Sequence, residues 1–309
     1  MLMSLEARAP GVSASTGLIG LLGQPVRHSC SPAMHNAATK ELGLNWVYLA
    51  FPTPAEELEV VLRCFRAIGC HGLNVTIPHK RAIHDLADNL TPLARRIGAV
   101  NTLIPHSDGS WLGANTDVEG FLTPLHQLSA AAGEDGEMFW RRNSALVLGC
   151  GGSALAVVAG LAQLGLDKIR VAGRNSAKLN RFTQHCLNWA PSVSPLSWSK
   201  DSGCDWLRHL AEAQLIVNTT PLGMAGDPSS PLLEKELDAL RQDAIVYDLI
   251  YTPRPTRLLQ SAARRGCRTL DGLEMLVQQG AASLRLWSGA DLMPIDAMRQ
   301  AVLEQLQKT

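Results

Sequence analysis

A glycine-rich turn between two uncharged apolar segments constrains the fold more than any other feature of the sequence. Residues 143–166 carry no charge, and Gly149-Cys150-Gly151-Gly152-Ser153-Ala154 interrupts them near the middle. A membrane-spanning helix needs an unbroken apolar stretch of about 20 residues, and the glycines break this one. The pattern therefore predicts a buried strand, a glycine turn and a buried helix.

The spacing of this turn, G-x-G-x-x-A at residues 149–154, is typical of turns that bind the pyrophosphate of a dinucleotide. The first glycine permits the tight turn, the second lets the backbone approach a phosphate, and the small Ala154 lets helix and strand pack closely. The N-terminus of the following helix offers free N–H groups and the positive end of its dipole. A purely structural glycine turn is the alternative.

The residues after the next predicted strand indicate which dinucleotide would bind. An NAD site usually has an acidic residue about 20 positions beyond the glycines, but this chain has Gly173-Arg174-Asn175 there, with Lys178 close behind. Arg174 can stack on adenine and pair with a 2′-phosphate, and Lys178 adds a second positive charge. The pattern favours NADP, with a solvated basic turn as the alternative.

Strand and helix patterns alternate along the whole chain, which predicts two α/β domains. We expect strands over residues 18–22, 46–51 and 73–77 in a first, mostly parallel sheet, and a capping box at residues 53–56 that begins a helix. Four further strands form a second, doubly wound sheet, at residues 145–148, 169–172, 215–218 and 245–248. The predicted closing helices, residues 275–287 and 295–306, could complete either domain.

Composition excludes several classes of partner. Lys plus Arg is 28 and Asp plus Glu is 28, so the chain lacks the basic excess that a nucleic-acid or anionic-membrane surface requires. The seven cysteines contain no C-x-x-C pair and no zinc-finger spacing, so we expect no metal site and reduced thiols in the cytoplasm.

Polar residues follow the first and third predicted strands. Ser29 and Ser31 come just after the first strand, at the start of a helix, where open α/β sheets bind small ligands; a capping role for Ser31 is the alternative. Asn74 and Thr76 lie on an otherwise apolar strand, and polar groups on a buried strand need partners. Lys80 follows them, although a lysine by itself is usually a surface charge.

Two further motifs, G-A-V-N-T at residues 98–102 and G-A-N-T-D at residues 113–117, each end a short predicted strand. Together with Lys80, they supply one amine, one carboxylate (Asp117) and several neutral hydrogen-bonding groups. Such a set suits a small polyhydroxylated acid whose hydroxyl loses a proton as a hydride leaves.

Taken together, the motifs resemble the shikimate dehydrogenase family, in the family's order from about residue 17 to residue 309. They are H-S-x-S-P-x-M-H-N, G-x-N-V-T-x-P-x-K, G-A-V-N-T, N-T-D-x-x-G, G-x-G-G, N-T-T-P-x-G-M and M-L-V-x-Q-G. The turn at residues 173–175 and the strand W-V-Y-L-A-F resemble cyanobacterial members in particular.

The resemblance implies reversible NADP-dependent reduction of 3-dehydroshikimate to shikimate, in the biosynthesis of chorismate and the aromatic amino acids. It also implies a substrate-binding catalytic domain built from residues 1–117 and 273–309, and a Rossmann-type NADP-binding domain at residues 118–272.

The resemblance further assigns roles to individual residues. Lys80 would exchange the proton of the C3 hydroxyl, with Asp117 hydrogen-bonded to it and to the substrate, and Asn74 would support the site. The substrate-binding residues would be Ser29, Ser31, Asn74, Thr76, Asn101, Tyr251 and Gln279, with the two serines on the carboxylate. The cofactor-binding residues would be Gly149, Cys150, Gly151, Gly152, Ser153, Gly173, Arg174, Asn175, Lys178, Thr219, Leu249 and Gly272.

The chain departs from the family pattern at several positions, including Gly173-Arg174-Asn175 in place of the usual N-R-T. Cys150 and Ser153 replace alanines, and both are small enough to keep the turn. Lys178 stands where an arginine is usual and lacks the bidentate fork, so the strength of the NADP preference stays open. The alternatives are a relative that accepts quinate or prefers NAD, and an inert NADP-binding sensor, which would be expected to have lost Lys80 or Asp117. The oligomeric state is open, with a homodimer as one option.

Overall fold

The chain divides into two compact units in the computed structural model, which describes residues 11–131, 136–141, 143–198, 203–227 and 229–308. The first unit contains residues 11–116 and 280–308, and the second is Asp117–Gln279. The first division, after residue 116, lies one residue before the predicted boundary after residue 117. The second, after residue 279, lies seven residues beyond the predicted boundary after residue 272 and falls inside a helix.

The first unit contains a mixed six-stranded sheet in the order β2-β1-β3-β5-β6-β4. Its strands are β1 (Gly17–Gly23), β2 (Trp46–Pro52), β3 (Gly72–Val75), β4 (Asn89–Leu90), β5 (Thr102–Pro105) and β6 (Trp111–Ala114). β1 runs parallel to β2 and β3, β4 runs parallel to β6, and only β5 is antiparallel to both its neighbours. The prediction of a mostly parallel sheet is confirmed, with one strand reversed.

Helices of the first unit follow the strands closely. They are α1 (Ser31–Glu41), α2 (Leu58–Ala67), α3 (Lys80–Leu86) and α4 (Pro92–Ile97). The predicted capping box is wrong: the Thr53 hydroxyl donates to the Phe51 carbonyl at 3.0 Å. A 3₁₀ turn at Ala55–Glu57 precedes α2 and has no side-chain cap. Pro54, the residue before this turn, has an extended backbone, and its ring fixes the φ angle there.

The second unit contains an entirely parallel six-stranded sheet in the order β12-β11-β10-β7-β8-β9. Its strands are β7 (Ser144–Leu148), β8 (Lys168–Gly173), β9 (Val193–Ser197), β10 (Leu215–Asn218), β11 (Ile245–Asp248) and β12 (Arg268–Leu270). Numbered within the unit, the order from the β9 edge is 3-2-1-4-5-6, which is the doubly wound Rossmann order and confirms the predicted fold class. The short strands β9 and β12 had not been predicted.

The described residues of the second unit form eight helices, the last of which, α12, continues into the first unit. They are α5 (Asp117–Ala131), α6 (Gly136–Arg141), α7 (Gly152–Gln163), α8 (Ser176–Leu187), α9 (Gly203–Glu212), α10 (Glu234–Leu237), α11 (Arg257–Arg264) and α12 (Gly272–Ser288), with α13 (Ile295–Gln307) belonging to the first unit. Residues 154–161 of α7 are all buried, which explains why this helix lacks charge. Among the described residues, no helix is long and apolar enough to cross a membrane.

Candidate functional sites

The polar motifs of the first unit meet at one edge of its sheet. The strands β1, β3 and β6 end there, and β5 begins there because it runs in the opposite direction. In the ladder, Asn74 pairs with Thr102, and Thr102 pairs with Ala114. Asn101 precedes β5 instead of ending a strand as predicted, but the reversal of β5 still places it at this edge.

Asn74 is the centre of a buried hydrogen-bond network at this edge. Its side-chain amide donates to the Asn101 carbonyl at 3.2 Å, to the Thr102 hydroxyl at 3.3 Å and to the Ser283 hydroxyl at 2.9 Å. Its oxygen accepts from the Tyr48 hydroxyl at 2.9 Å. The amide of Asn74 is therefore fully committed to protein partners. β3 ends at Val75, so Thr76 lies one residue beyond the strand that was predicted to contain it.

Asn101 holds the chain where the second polar motif leads into α5. Its side-chain oxygen accepts from the Thr116 backbone N–H at 2.8 Å, and its amide donates to the Thr116 hydroxyl at 2.9 Å. The neighbouring Asn115 donates to the Ala99 carbonyl at 3.1 Å. These bonds position the residue directly before Asp117, which is the first residue of α5 and is 6% exposed.

Lys80 is the first residue of α3 and is half-buried. Its carbonyl accepts from the Val100 N–H at 2.8 Å, which ties the lysine backbone to the G-A-V-N-T motif. His79, immediately before it, is 1% exposed, and its Nε2 lies 2.7 Å from the Thr53 carbonyl oxygen. A carbonyl oxygen only accepts, so Nε2 carries the hydrogen. The backbone that carries Lys80 is thus held on both sides.

The two serines are joined through the backbone at the start of α1. The Ser31 N–H donates to the Ser29 hydroxyl oxygen at 3.2 Å. The N-cap of α1 is Cys30, and no side chain caps the helix, so the capping alternative for Ser31 is not realised. Ser29 is half-buried and Ser31 is 7% exposed.

Tyr48 and His35 belong to motifs quoted in the sequence analysis, where neither of them is assigned a role. Tyr48 is completely buried, and the ring of His35 stacks on it with a centroid separation of 4.3 Å. Burial lowers the pKa of His35 to about 3, so the ring is neutral. The signal that could have found Tyr48 is a tyrosine in the middle of an apolar strand, since a buried phenol needs a polar partner.

The glycine turn of the second unit lies at the switch point between β7 and β10, where ligands bind in open α/β sheets. Gly149 has φ +108°, and a side chain there would come within 2.7 Å of the Thr219 hydroxyl. By contrast, a Cβ at Gly151 or Gly152 would meet no atom of the described residues within 4 Å. Protein packing therefore requires Gly149 but does not explain Gly151 or Gly152, whereas the close approach of a pyrophosphate does.

The basic residues after β8 lie beside this turn. Arg174 and Lys178 are exposed, and the Asn175 side chain caps α8 by accepting from the Lys178 N–H at 2.8 Å. A Cβ at Gly173 would lie 3.3 Å from the Cys150 sulfur, so the end of β8 and the glycine turn are adjacent. This arrangement fits binding of the 2′-phosphate on the adenine ribose of NADP. Because both charges are exposed, it also fits a solvated basic turn.

Asn218, the first residue of the N-T-T-P-x-G-M motif, organises the end of β10. Its oxygen accepts from the Thr220 N–H at 3.0 Å and from the Thr220 hydroxyl at 2.8 Å, and its amide donates to Asp248 at 2.9 Å. The Thr219 hydroxyl donates to the carbonyl of Leu148, directly before the glycine turn, at 2.8 Å. In the sequence, the signal for this bond was a polar residue at the end of each of two apolar strands, Asn218 and Asp248.

The other predicted residues of the second unit lie on the segments that follow. Leu249 is half-buried directly after β11, and a Cβ on Gly272 would lie 2.0 Å from its carbonyl oxygen, so only glycine allows this approach. Tyr251 is half-buried two residues beyond Leu249, and Gln279 is half-buried on α12. The described part of the chain contains no group of three or more His, Cys, Asp or Glu side chains that could hold a metal ion.

Comparison with known proteins identifies the family. A model described as the shikimate dehydrogenase substrate binding domain matches residues 21–103, and one described as the shikimate 5′-dehydrogenase C-terminal domain matches residues 272–303. A shikimate dehydrogenase (NADP(+)) from Synechocystis sp. is 45% identical over 97% of this chain and 99% of its own length. The chain belongs to the shikimate dehydrogenase family.

Solved shikimate dehydrogenase structures match the whole fold. One in complex with NADP+ has a TM-score of 0.84 at 34% identity, and covers 97% of this chain and 99% of its own. Another, from Thermus thermophilus in complex with NADP(H) and shikimate, has a TM-score of 0.79 at 34% identity, over 94% and 100% of the two chains. The predicted membership of this oxidoreductase family is confirmed, as is the resemblance to its cyanobacterial members.

Proposed function

We propose that this chain catalyses the reversible NADP-dependent reduction of 3-dehydroshikimate to shikimate, in the biosynthesis of chorismate and the aromatic amino acids. The observation that carries the proposal is the 45% identity, over 97% of the chain, to a protein named shikimate dehydrogenase (NADP(+)). Two local features support it, namely the buried polar edge of the first sheet and the open glycine turn at the switch point of the second.

Lys80 and Asp117 are the proposed acid–base pair. In shikimate oxidation, the C3 hydroxyl gives its proton to the Lys80 amine as the hydrogen bonded to carbon C3 leaves as a hydride, and in reduction Lys80 returns that proton. Asp117 accepts a hydrogen bond from the substrate. The backbone bond from Val100 to Lys80 supports this role, because proton transfer requires the amine to stay within hydrogen-bond reach of the reacting oxygen.

The proposed substrate contacts divide by chemistry. The hydroxyls of Ser29 and Ser31 bind the carboxylate, and the ring hydroxyls bond with Thr76, Asn101, Tyr251 and Gln279. The amide of Asn74 already bonds only with protein groups, which favours a supporting role over direct contact with substrate.

The proposed cofactor site is the glycine turn and the segments beside it. Gly149–Ser153 bind the pyrophosphate, Arg174 and Lys178 bind the 2′-phosphate, and Thr219, Leu249 and Gly272 lie along the rest of the cofactor. NADP supplies the hydride acceptor. We assign the substrate role to residues 1–117 with 273–309 and the cofactor role to residues 118–272; residues 1–10 lie outside the described part of the chain.

A steady-state assay with shikimate or quinate, each with NADP+ or NAD+, tests the proposal. We expect the highest kcat/KM for shikimate with NADP+. A higher kcat/KM for quinate with NAD+ would replace the proposal with the quinate alternative, and binding of NADPH without turnover would indicate the sensor.

We also propose a cytoplasmic location, which the free cysteines among the described residues support. A homodimer is one option for the assembly, and light scattering on the purified chain measures it.

A further inference from the structure

Asp248, at the end of β11, is a completely buried carboxylate on which three hydrogen-bond donors converge. The Thr256 hydroxyl donates to it at 2.7 Å, the Asn218 amide at 2.9 Å and the Ile250 N–H at 3.2 Å. Asp248 was not among the residues assigned to the site.

The direction of each of these bonds is fixed by its surroundings. The Asn218 oxygen accepts from the backbone N–H of Thr220, so its amide faces Asp248. The Thr256 oxygen accepts from the Leu259 N–H at 3.3 Å, so its own hydrogen is free to go to Asp248. Because all three partners donate, a carboxylate satisfies them, whereas a protonated carboxyl or an amide brings a hydrogen among donors.

The same network continues to the segments that form the proposed cofactor site. The backbone carbonyl of Asn218 accepts from the Leu249 N–H at 3.1 Å. The side-chain oxygen of Asn218 accepts from the N–H and the hydroxyl of Thr220, the residue after Thr219. Thr219 in turn bonds to Leu148, beside Gly149. An unbroken series of bonds therefore joins Asp248 to the glycine turn.

We infer that Asp248 is a positioning residue for cofactor binding: through Asn218, its ionised carboxylate holds the turns that carry Thr219 and Leu249. This inference rests on the proposed NADP site and adds a pH dependence to it.

The surroundings of Asp248 place its ionisation within the pH range of an assay. Burial raises the pKa of Asp248 to about 6, opposed by the bonds from Thr256, Ile250 and Asn218. The carboxylate of Asp271 raises this pKa further, and Asp271 is itself paired with Arg254 at 2.5 Å. As the pH falls through about 6, Asp248 gains a proton, the turns lose a bonding partner and cofactor affinity falls.

The test compares the dissociation constant (Kd) of NADPH for wild type and Asp248→Asn, measured by fluorescence titration between pH 5 and pH 8. The 2′-phosphate also titrates near pH 6, so the quantity of interest is the ratio of the two constants, from which that ionisation cancels. At pH 8 we expect the Kd of Asp248→Asn to be about three to ten times that of wild type, which is equivalent to the loss of one hydrogen bond. The ratio falls towards one at pH 5, where the wild-type residue is also neutral.

Val302→Ala, a cavity variant on α13 in the first unit, controls for general loss of stability and leaves the NADPH Kd unchanged. If Asp248→Asn does not fold, Thr256→Val removes one donor and raises the pH at which affinity falls. The inference is overturned if the ratio of the two Kd values does not change with pH, or if Thr256→Val has the same pH dependence of NADPH Kd as wild type. In either case, normal oxidation of shikimate by the wild type still supports the proposed function. A wild type that binds NADPH but does not oxidise shikimate contradicts only the proposed function.

Discussion

At the scale of single residues, the position of Lys80 depends on its backbone. The N-terminal residue of a short helix would be free to move if only solvent surrounded it. Here the preceding His79 is bonded to the Thr53 carbonyl, and the Lys80 carbonyl is bonded to Val100. Both bonds reach across to other segments of the first unit, so the amine projects from a fixed point.

Lys80→Ala is expected to lower kcat for shikimate oxidation by roughly 10²–10⁴, the usual contribution of general acid–base catalysis. The fold stays intact because the bond to Val100 uses the backbone. The steady-state rate of NADPH formation at saturating shikimate and NADP+ gives kcat. Lys40→Ala, at an exposed lysine in the last turn of α1, is the matched control; near-normal turnover of the Lys80 variant would remove this residue from the mechanism.

Arg174→Ala is expected to raise KM for NADP+ by about ten-fold or more, since one charge-assisted bond contributes about 1.5–3 kcal/mol. The KM for NAD+, which lacks the 2′-phosphate, should change much less. Arg181→Ala, an exposed arginine on the same helix α8, should alter neither. Equal effects of the Arg174 substitution on both cofactors would support the solvated basic turn.

At the scale of elements, the sequence predicted the long, regular features and missed those that depend on distant partners. The strand–turn–helix around Gly149 was readable because apolar runs and glycines are local signals. The reversal of β5 was not, because strand direction depends on which neighbour the strand pairs with. The capping box at Thr53 failed because its hydroxyl bonds to the preceding strand instead.

The same distinction applies to the candidate sites. The motifs located the serines, Lys80 and the glycine turn from short spacings and from a family resemblance. They did not show that Ser283, on the last turns of α12, bonds to Asn74 on β3. Nor did they show that Asn218 bonds to Asp248 on the neighbouring strand. Such bonds join residues far apart in the chain, and no local pattern contains them.

Two buried tyrosines allow a matched test of the network around Asn74. Tyr48→Phe leaves the Asn74 oxygen without its donor, which is expected to lower the free energy of unfolding by about 1–3 kcal/mol. Tyr247 is equally buried, but its hydroxyl has no hydrogen-bond partner among the described residues, so Tyr247→Phe should cost little. Urea denaturation measures the free energy of unfolding of both variants. Equal decreases would show that the hydrogen bond from Tyr48 to Asn74 does not stabilise the fold measurably.

At the scale of the whole molecule, zero net charge conceals two candidate binding regions that are built differently. The polar edge of the first sheet consists largely of neutral amides and hydroxyls, together with Lys80. The turn region of the second sheet has open glycines and two exposed basic residues, Arg174 and Lys178. This distribution matches a reaction in which a small hydroxy acid exchanges hydride with a phosphorylated dinucleotide.

The proposed reaction moves a hydride from C3 of shikimate to NADP+, and isotope transfer follows that hydride. Shikimate carrying deuterium at C3 is incubated with NADP+ and the enzyme, and the reduced cofactor is analysed by mass spectrometry. We expect each molecule of NADPH formed to contain one deuterium. Reduced cofactor without deuterium, or no reduced cofactor at all, would contradict the proposed reaction.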